Sequence, residues 1–381
     1  MSRVLGIIGG GQLGMMLTEA AKKMSDEISE IIVLDPTENC PASQVGAKQI
    51  VADFKDENAI KELATKSDII TYEIESGNSD VLKQVEKICE INPSPETLRI
   101  IQDKFLQKSF LKENSIPVED FVSVATISEI EEKIKEYGYP VLLKARRDAY
   151  DGRGNYKINN KDEIQTAFEY FKGQPIFLEK FVDFKMEVSV IASRNTKGEI
   201  KTYPLVENIH EENILRMTIA PARVDQEIAK KAEKIAYDTM NVLKGAGVFG
   251  IEMFLTKDDR ILINEIAPRV HNSGHHTLQS SKTSQFEQHL RAILGLSLGS
   301  TELIQPAIMY NILGPKNFTG EYKELTLSGE NVFLKMYGKK VSKPKRKLGH
   351  FNIIANDKSD GIDHLLDRVN TLKQKVVLEA K

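Results

Sequence analysis

The chain is predicted to be an α/β protein whose doubly wound, Rossmann-like N-terminal domain is followed by α+β units. Three observations carry that prediction. Over residues 1–90 short apolar strands alternate with helical periods, the rhythm of a parallel sheet with helices on its faces. A glycine-rich turn, Gly9-Gly10-Gly11-Gln12-Leu13-Gly14, joins the first strand to the first helix. Beyond residue 118 strand-rich stretches replace the alternation, and 381 residues exceed one ordinary core, so two or three domains are expected.

In order, strands are expected at Val4–Ile8, Ile31–Leu34 and Asp68–Tyr72, with helices over 12–24, 57–65 and 79–89. Asn92-Pro93-Ser94-Pro95 reads as a boundary, because two prolines cannot sit inside a helix and the next helix starts near Pro95. A single helix is expected over 96–116, with Leu98, Ile101, Phe105 and Leu111 as its apolar stripe. Residues 118–182 form a small α+β unit, with strands near Val122, Val141–Lys144 and Ile176–Lys180 and helices at 128–137 and 161–172. Residues 186–266 are mostly strand around a helix at 225–244. The tail from 304 carries strands around Ile308–Ile312, Val332–Leu334 and Phe351–Ile354, then a last helix.

Composition narrows the function classes. No stretch reaches the roughly 18–20 apolar residues of a membrane span. Met1 to Gly9 reads as a buried strand, not a signal peptide. The two cysteines, Cys40 and Cys89, lie far apart without metal-ligand spacing, which predicts a reducing, cytoplasmic setting and no structural zinc. A net charge of −3 with no dominant basic face gives no reason to expect a nucleic-acid partner.

Five constellations carry candidate chemistry. The segment Glu252 to Glu265 reads as a hairpin about Asp258–Asp259, pairing Leu255 with Leu262, Phe254 with Ile263 and Glu252 with Glu265. Like charges directly opposite destabilise a ladder, so this register asks for a cation, and oxygen ligands of this kind suit Mg²⁺ with phosphates. A solvated hairpin with offset glutamates is the competing reading. The Gly9–Gly14 motif, with Asp35 ending the second strand, predicts a phosphate site on a helix N-terminus and leaves a dinucleotide open. Tyr150-Asp151-Gly152-Arg153-Gly154 reads as a flap over a polyphosphate or as a plain turn. Arg269, His271, Asn272, Ser273, His275 and His276 crowd the loop after the hairpin, a composition suited to a small anion. The run Lys339 to Lys347 is either a solvated basic face or a phosphate site. Lys144 ends an apolar strand, where a lysine can snorkel to water.

In this order the pieces resemble the ATP-grasp superfamily, and in detail its 5-(carboxyamino)imidazole ribonucleotide synthetase family. The resemblance rests on Gly-Gly-Gly-Gln-Leu-Gly at 9–14, Thr-Tyr-Glu-Ile-Glu at 71–75 and Tyr-Asp-Gly-Arg-Gly at 150–154. It continues through Asn-Glu-Ile-Ala-Pro-Arg-Val-His-Asn-Ser-Gly-His at 264–275, Thr-Ser-Gln-Phe-Glu-Gln-His at 283–289 and Arg-Lys-Leu-Gly-His at 346–350. It implies an N-terminal domain at 1–95, an ATP-grasp domain at 96–303 with 118–182 as its lid, and a small β-rich C-terminal domain at 304–381. The implied reaction uses ATP to turn bicarbonate into carboxyphosphate, which carboxylates the amine of 5-aminoimidazole ribonucleotide either directly or through released CO₂.

Carried over by motif, Lys104 and Lys144 meet ATP, and the flap, comprising Ala149, Tyr150, Asp151, Gly152, Arg153, Gly154 and Asn155, covers its phosphates. Glu179, Lys180, Phe181 and Val182 offer backbone to adenine, Glu187 binds ribose, and His210 is a further nucleotide contact. Glu252 and Glu265, with Asn264, hold Mg²⁺. Arg269 and His271 take bicarbonate, and Tyr150, Asp151 and Arg153 close over the reaction. Gln12, Leu13, Glu73 or Glu75, Lys339, Arg346 and Lys347 take the acceptor nucleotide. The resemblance also implies a homodimer. Three departures stand out: Met15 replaces a usual arginine, Asp148-Ala149 replaces a glycine pair at the flap, and His276 replaces an aromatic residue. A formate-dependent transformylase and a nicotinamide oxidoreductase are the rival enzymes, and a catalytically dead nucleotide-binding regulator is the non-enzyme.

Overall fold

Five parallel strands form the N-terminal sheet in the order Lys48–Ile50, Ile28–Leu34, Arg3–Ile8, Ile69–Tyr72 and Glu90–Ile91. The computed structural model describes residues 2–147, 154–357 and 360–381. Both faces of the sheet are covered, and Leu5, Ile7, Ile8, Val33, Leu34, Ile69 and Ile70 are fully buried, which is why the strands read as apolar runs without alternation. The outer strands and the short helix Pro41–Gln44 were not anticipated. Two to four residues are too few for periodicity to register. The order reverses beside the first strand, so a crevice opens past Ile8 and Tyr72 at the strands' carboxyl ends.

The single helix expected over 96–116 is two helices, Pro95–Gln102 and Lys104–Glu113. Between them Asp103 is extended and caps the second helix, its Oδ1 accepting from the N–H groups of Phe105 and Leu106, each at 3.1 Å. The same carboxylate grips Arg146 at 2.8 Å and Arg147 at 3.5 Å, at the root of the flap. The apolar stripe persists through the break, so the pattern hid it.

The lid is an antiparallel sheet ordered Phe121–Val124, Ile176–Lys180, Val141–Ala145 and Asn155–Ile158, with its own core under helices Ile127–Tyr137 and Ile164–Tyr170. The main sheet runs Ile261–Ala267, Gly247–Thr256, Phe184–Arg194, Val206–Glu211 and Ile214–Ala220. Strands Ala307–Leu313, Lys347–Ile354 and Val332–Met336 then extend that sheet. Helix Gln226–Leu243 buries Ala232, Ala236 and Met240 against one of its faces. The opposite face carries the polar residues described below. No helix among the described residues is long and apolar enough to cross a membrane.

The hairpin differs from the expected register in an instructive way. Thr256 and Arg260 close a three-residue loop with Asp259 at positive φ, so Leu255 pairs with Ile261, Phe254 with Leu262 and Met253 with Ile263. The expected Leu255–Leu262 and Phe254–Ile263 pairs are therefore one residue out. A bulge between Glu252 and Met253 then absorbs Asn264 and restores Glu252 opposite Glu265. Because of the bulge, Asn264 and Glu265 are both half-buried between buried Ile263 and Ile266, although they are consecutive.

His289 clips the first domain to the main sheet. Its Nδ1 accepts from Val248 N–H at 3.0 Å, so Nε2–H donates to Thr71 Oγ1 at 2.8 Å. Burial pushes His276, His289 and His350 down to about 3 and His275 lower than its ordinary range. The folded pKa values lie below the unfolded value, so the stability they carry is present above a pH of ~6.5 and is lost as pH falls toward their folded values. Urea midpoints measured from pH 7.5 to 5 should start to drop below pH ~6.5, by up to ~1.4 kcal/mol per unit for each histidine. His289→Gln should make that slope shallower; an unchanged slope would contradict this account.

Candidate active site

The two glutamates of the hairpin face a lysine. Lys104 begins the helix Lys104–Glu113, and its Nζ reaches Glu265 Oε2 at 2.8 Å. Burial works against its charge, but Glu265, Glu252 and Glu75 outweigh that and raise its pKa. Glu252 keeps 30 % of its side chain open and lies 3.2 Å from His271 Nε2. Desolvation would raise Glu252, yet His271, His210 and Lys104 hold it down at about 2. Two opposed carboxylates, with Asn264 beside them in the bulge and Lys104 next to them, offer oxygen donors that fit Mg²⁺ bound together with phosphate.

One helical turn on, Lys108 points the same way and is 2 % exposed. It pairs with Glu179, whose other oxygen meets Lys144 at 2.7 Å. Lys144 therefore does not snorkel; it is buried against a carboxylate. Burial would raise Glu179, but Lys108 and Lys144 hold it at about 2, and Lys144 itself is lowered by burial and by both neighbouring lysines. Gln107, between the two lysines, exchanges bonds with the Ile266 main chain at 3.1 and 3.3 Å, tying the helix to the hairpin. Lys108 was not singled out from sequence, although its spacing of four from Lys104 marks a shared helix face.

Glu187 and His210 meet each other at 2.6 Å across adjacent strands. Lys180 ends the lid strand, its N–H bonded to Asp120 O at 2.9 Å, and Phe181 lies under Lys157 Nζ at 4.1 Å from the ring centre. Val182 is buried. The stretch leading from lid to main sheet thus passes directly over the buried Lys108–Glu179–Lys144 group. The flap residues Ala149, Tyr150, Asp151, Gly152 and Arg153, with Asp148, lie outside the described residues; Gly154 and Asn155 start the strand that leaves the flap.

Beyond the hairpin, Arg269 pairs with Glu75 at 2.6 Å, and its Nη1 donates to Val270 O. Arg269 Nε and both polar atoms of the Asn272 side chain are shielded from solvent and have no partner among the described residues. Such orphaned groups carry a cost of roughly 1–3 kcal/mol each, and an oxyanion at this point would accept from the two N–H donors, Arg269 Nε and Asn272 Nδ2. His271 lies between this loop and Glu252. His275 and His276 do not join them: both are buried, His275 within hydrogen-bond range of Gln285 and His276 of Ser280.

The glycine loop corrects the first expectation of a phosphate there. Its N–H groups are already taken, Gly10 by Asp35 at 2.8 Å, Gly14 by Glu73 at 2.6 Å and Gly11 by Glu73. Gly9, at φ +97°, lies so close to Glu73 that a Cβ would clash with its side chain. A carboxylate from the fourth strand occupies the anion nest, so neither a phosphate nor a dinucleotide fits. Burial pushes the Glu73 carboxyl up to about 7, against the pull of the Gly14 and Gly11 N–H groups. The loop instead presents Gln12, whose Oε1 accepts from Lys339 Nζ at 2.8 Å, while Leu13 is buried.

The basic run divides in two: Lys340, Lys343 and Lys345 are exposed, whereas Lys339, Arg346 and Lys347 are half-buried. Lys339 also donates to Lys347 O at 2.8 Å, and burial with Arg346 nearby lowers it to about 8. Met15 is buried in the first helix, away from solvent.

A lid with its own core, buried lysines at its hinge and paired carboxylates on the sheet below define an ATP-dependent ligase of the ATP-grasp class. The ATP-grasp domain family matches residues 109–286, the ribonucleotide synthetase preATP-grasp domain 1–102, and the phosphoribosylaminoimidazole carboxylase C-terminal domain 307–363. The chain is 39 % identical over 365 residues to N5-carboxyaminoimidazole ribonucleotide synthase of Bacillus subtilis, covering 96 % of this chain and 95 % of that one. It is 42 % identical over 371 residues to phosphoribosylaminoimidazole carboxylase of Ogataea methanolica, covering 94 % of this chain but 68 % of that longer protein. The crystal structure of the Aspergillus clavatus synthase, in complex with ADP and 5-aminoimidazole ribonucleotide, superposes with a TM-score of 0.88 at 36 % identity, over 98 % of this chain and 99 % of that one. The chain belongs to the N5-carboxyaminoimidazole ribonucleotide synthase family.

Proposed function

We propose that this chain uses ATP and bicarbonate to carboxylate the exocyclic amine of 5-aminoimidazole ribonucleotide in purine biosynthesis, releasing ADP and phosphate. The observation that carries the reading is the contact of Arg269 with Glu75, which joins the loop of unpartnered Arg269 and Asn272 groups to the acceptor side of the N-terminal domain. ATP would lie under the lid, its phosphates against Lys104 and Lys144 and its sugar against Glu187 and His210. Glu252, Glu265 and Asn264 would hold Mg²⁺, which supplies charge neutralisation to the phosphates.

Bicarbonate would rest against Arg269 and His271. Attack of its oxygen on the γ-phosphorus breaks the bond to ADP and forms carboxyphosphate; the amine nitrogen then takes the carboxyl carbon and phosphate leaves. Charges that are fixed before reaction lower the barrier because they need no rearrangement. Tyr150, Asp151 and Arg153 would close over the intermediate and exclude water. Lys339, Arg346 and Lys347 would bind the phosphate of the acceptor, and Glu73 or Glu75 its ribose. A cytoplasmic homodimer completes the proposal, and sedimentation equilibrium reads the assembly state.

ADP release is expected to need ATP, Mg²⁺, bicarbonate and 5-aminoimidazole ribonucleotide together, measured by omitting each in turn. Full ADP release with glycinamide ribonucleotide and formate in place of bicarbonate and the imidazole would support the transformylase reading instead.

A further inference from the structure

A line of buried hydroxyls and one amide leads away from His271 through the main sheet. Ser273 Oγ lies 2.9 Å from His271 Nδ1, and Ser189 Oγ donates to Ser273 Oγ at 2.8 Å. Asn208 Nδ2 donates to Ser189 Oγ at 2.8 Å, and Thr218 Oγ1 donates to Asn208 Oδ1 at 3.0 Å. Ser189, Ser273 and Thr218 are fully buried and Asn208 nearly so. The register explains the alignment: Ser189 pairs with Glu252 and Asn208 with Thr218, so these side chains share the polar face that carries the metal carboxylates.

The direction of the chain is settled at its two ends. At the far end of the ring, Nε2 faces Glu252 Oε1 at 3.2 Å, which calls for a proton on Nε2. At the near end, the Ser273 N–H also points at Nδ1, at 3.4 Å, which calls for a lone pair there. With Nδ1 accepting, the Ser273 hydroxyl donates to it, Ser189 donates to Ser273, and the Asn208 amide donates to Ser189. Ser273 and Ser189 then each have one donor and one acceptor role, Thr218 donates to the Asn208 oxygen, and no proton conflict remains.

We infer that Ser273, Ser189, Asn208 and Thr218 are positioning residues that hold the His271 ring with Nδ1 accepting from Ser273 and Nε2–H aimed at the place where bicarbonate binds. This rests on the proposed contact between His271 and bicarbonate. The ring also packs against Gly250, but only the relay fixes which nitrogen accepts, and Nε2–H would be offered to the oxyanion. A buried ring without the relay can turn over or move its proton to Nδ1, and would then present a lone pair to an anion.

The test uses ¹⁵N-histidine-labelled protein with Mg²⁺ and ADP, with the His271 signals assigned by their loss in His271→Gln. Wild type should show Nε2 protonated and Nδ1 bare. Ser273→Ala should show both tautomers and raise the KM for bicarbonate by roughly 10- to 100-fold, the worth of one hydrogen bond to a charged group, with the KM for ATP unchanged. If Ser273→Ala does not fold, Ser189→Ala should raise the bicarbonate KM several-fold and leave that for ATP alone. A wild-type Nδ1 that carries the proton overturns the inference. So does a folded relay variant, Ser273→Ala or Ser189→Ala, with unchanged bicarbonate KM. Failure of the underlying reading looks different: His271→Gln itself would then leave bicarbonate-dependent ADP formation intact.

Discussion

Glu265→Gln is expected to lower ADP formation by roughly 100- to 1,000-fold at saturating substrates, the usual cost of removing one fixed electrostatic contact from a charged transition state. Glu265 stands opposite Glu252 and shares Lys104 with it, so the amide removes one of the two anionic ligands proposed for Mg²⁺ without changing the shape of the site. Folding should survive, because Lys104 keeps Glu252 and Glu75 nearby. Raising Mg²⁺ should recover part of the rate if the loss is in metal affinity. The measurement is coupled ADP release over a Mg²⁺ titration, with circular dichroism to establish the fold. Full activity of the folded variant at low Mg²⁺ would remove Glu265 from the metal site, and with it the reason for the bulge at Asn264.

Glu179→Gln should produce the largest loss of stability, about 3–5 kcal/mol, because breaking a buried ion pair leaves uncompensated charge. Here two lysines, Lys108 and Lys144, depend on one carboxylate that is 3 % exposed. Urea unfolding reads the effect. Adding Lys108→Met should recover part of it by removing one stranded cation, and the double-mutant cycle isolates the coupling. Additive effects of the two changes would mean that the pair does not act as a unit. Affinity for ATP should also fall in the single variant, since the backbone proposed to meet adenine begins at the residue being changed.

Much of the site was legible before any coordinates. The opposed pair Glu252 and Glu265 follows from hairpin patterning, and the bulge corrected two errors of register at once: the turn lies one residue from where it was expected, and Asn264 adds one residue back. The helix break at Asp103 was not legible, because the apolar stripe continues through it while the cap is a matter of backbone conformation. The basic run gave no hint of which cations turn inward; bonds to Gln12 and to the Lys347 main chain decided that for Lys339.

The sequence by itself determined the alternation of strands and helices, the paired glutamates and the family, because these depend on periodicity, turn chemistry and short motifs that are local in the chain. Only the tertiary structure decided what occupies the glycine loop, which lysines are buried together, and how His271 is held. The physical reason is common to all three. Backbone N–H groups donate to any anion, and a buried lysine or imidazole takes its state from whichever group lies within about 3 Å of it. Those groups come from distant positions, Glu73 for Gly11, Glu179 for Lys108 and Ser189 for Ser273, and only folding brings them together.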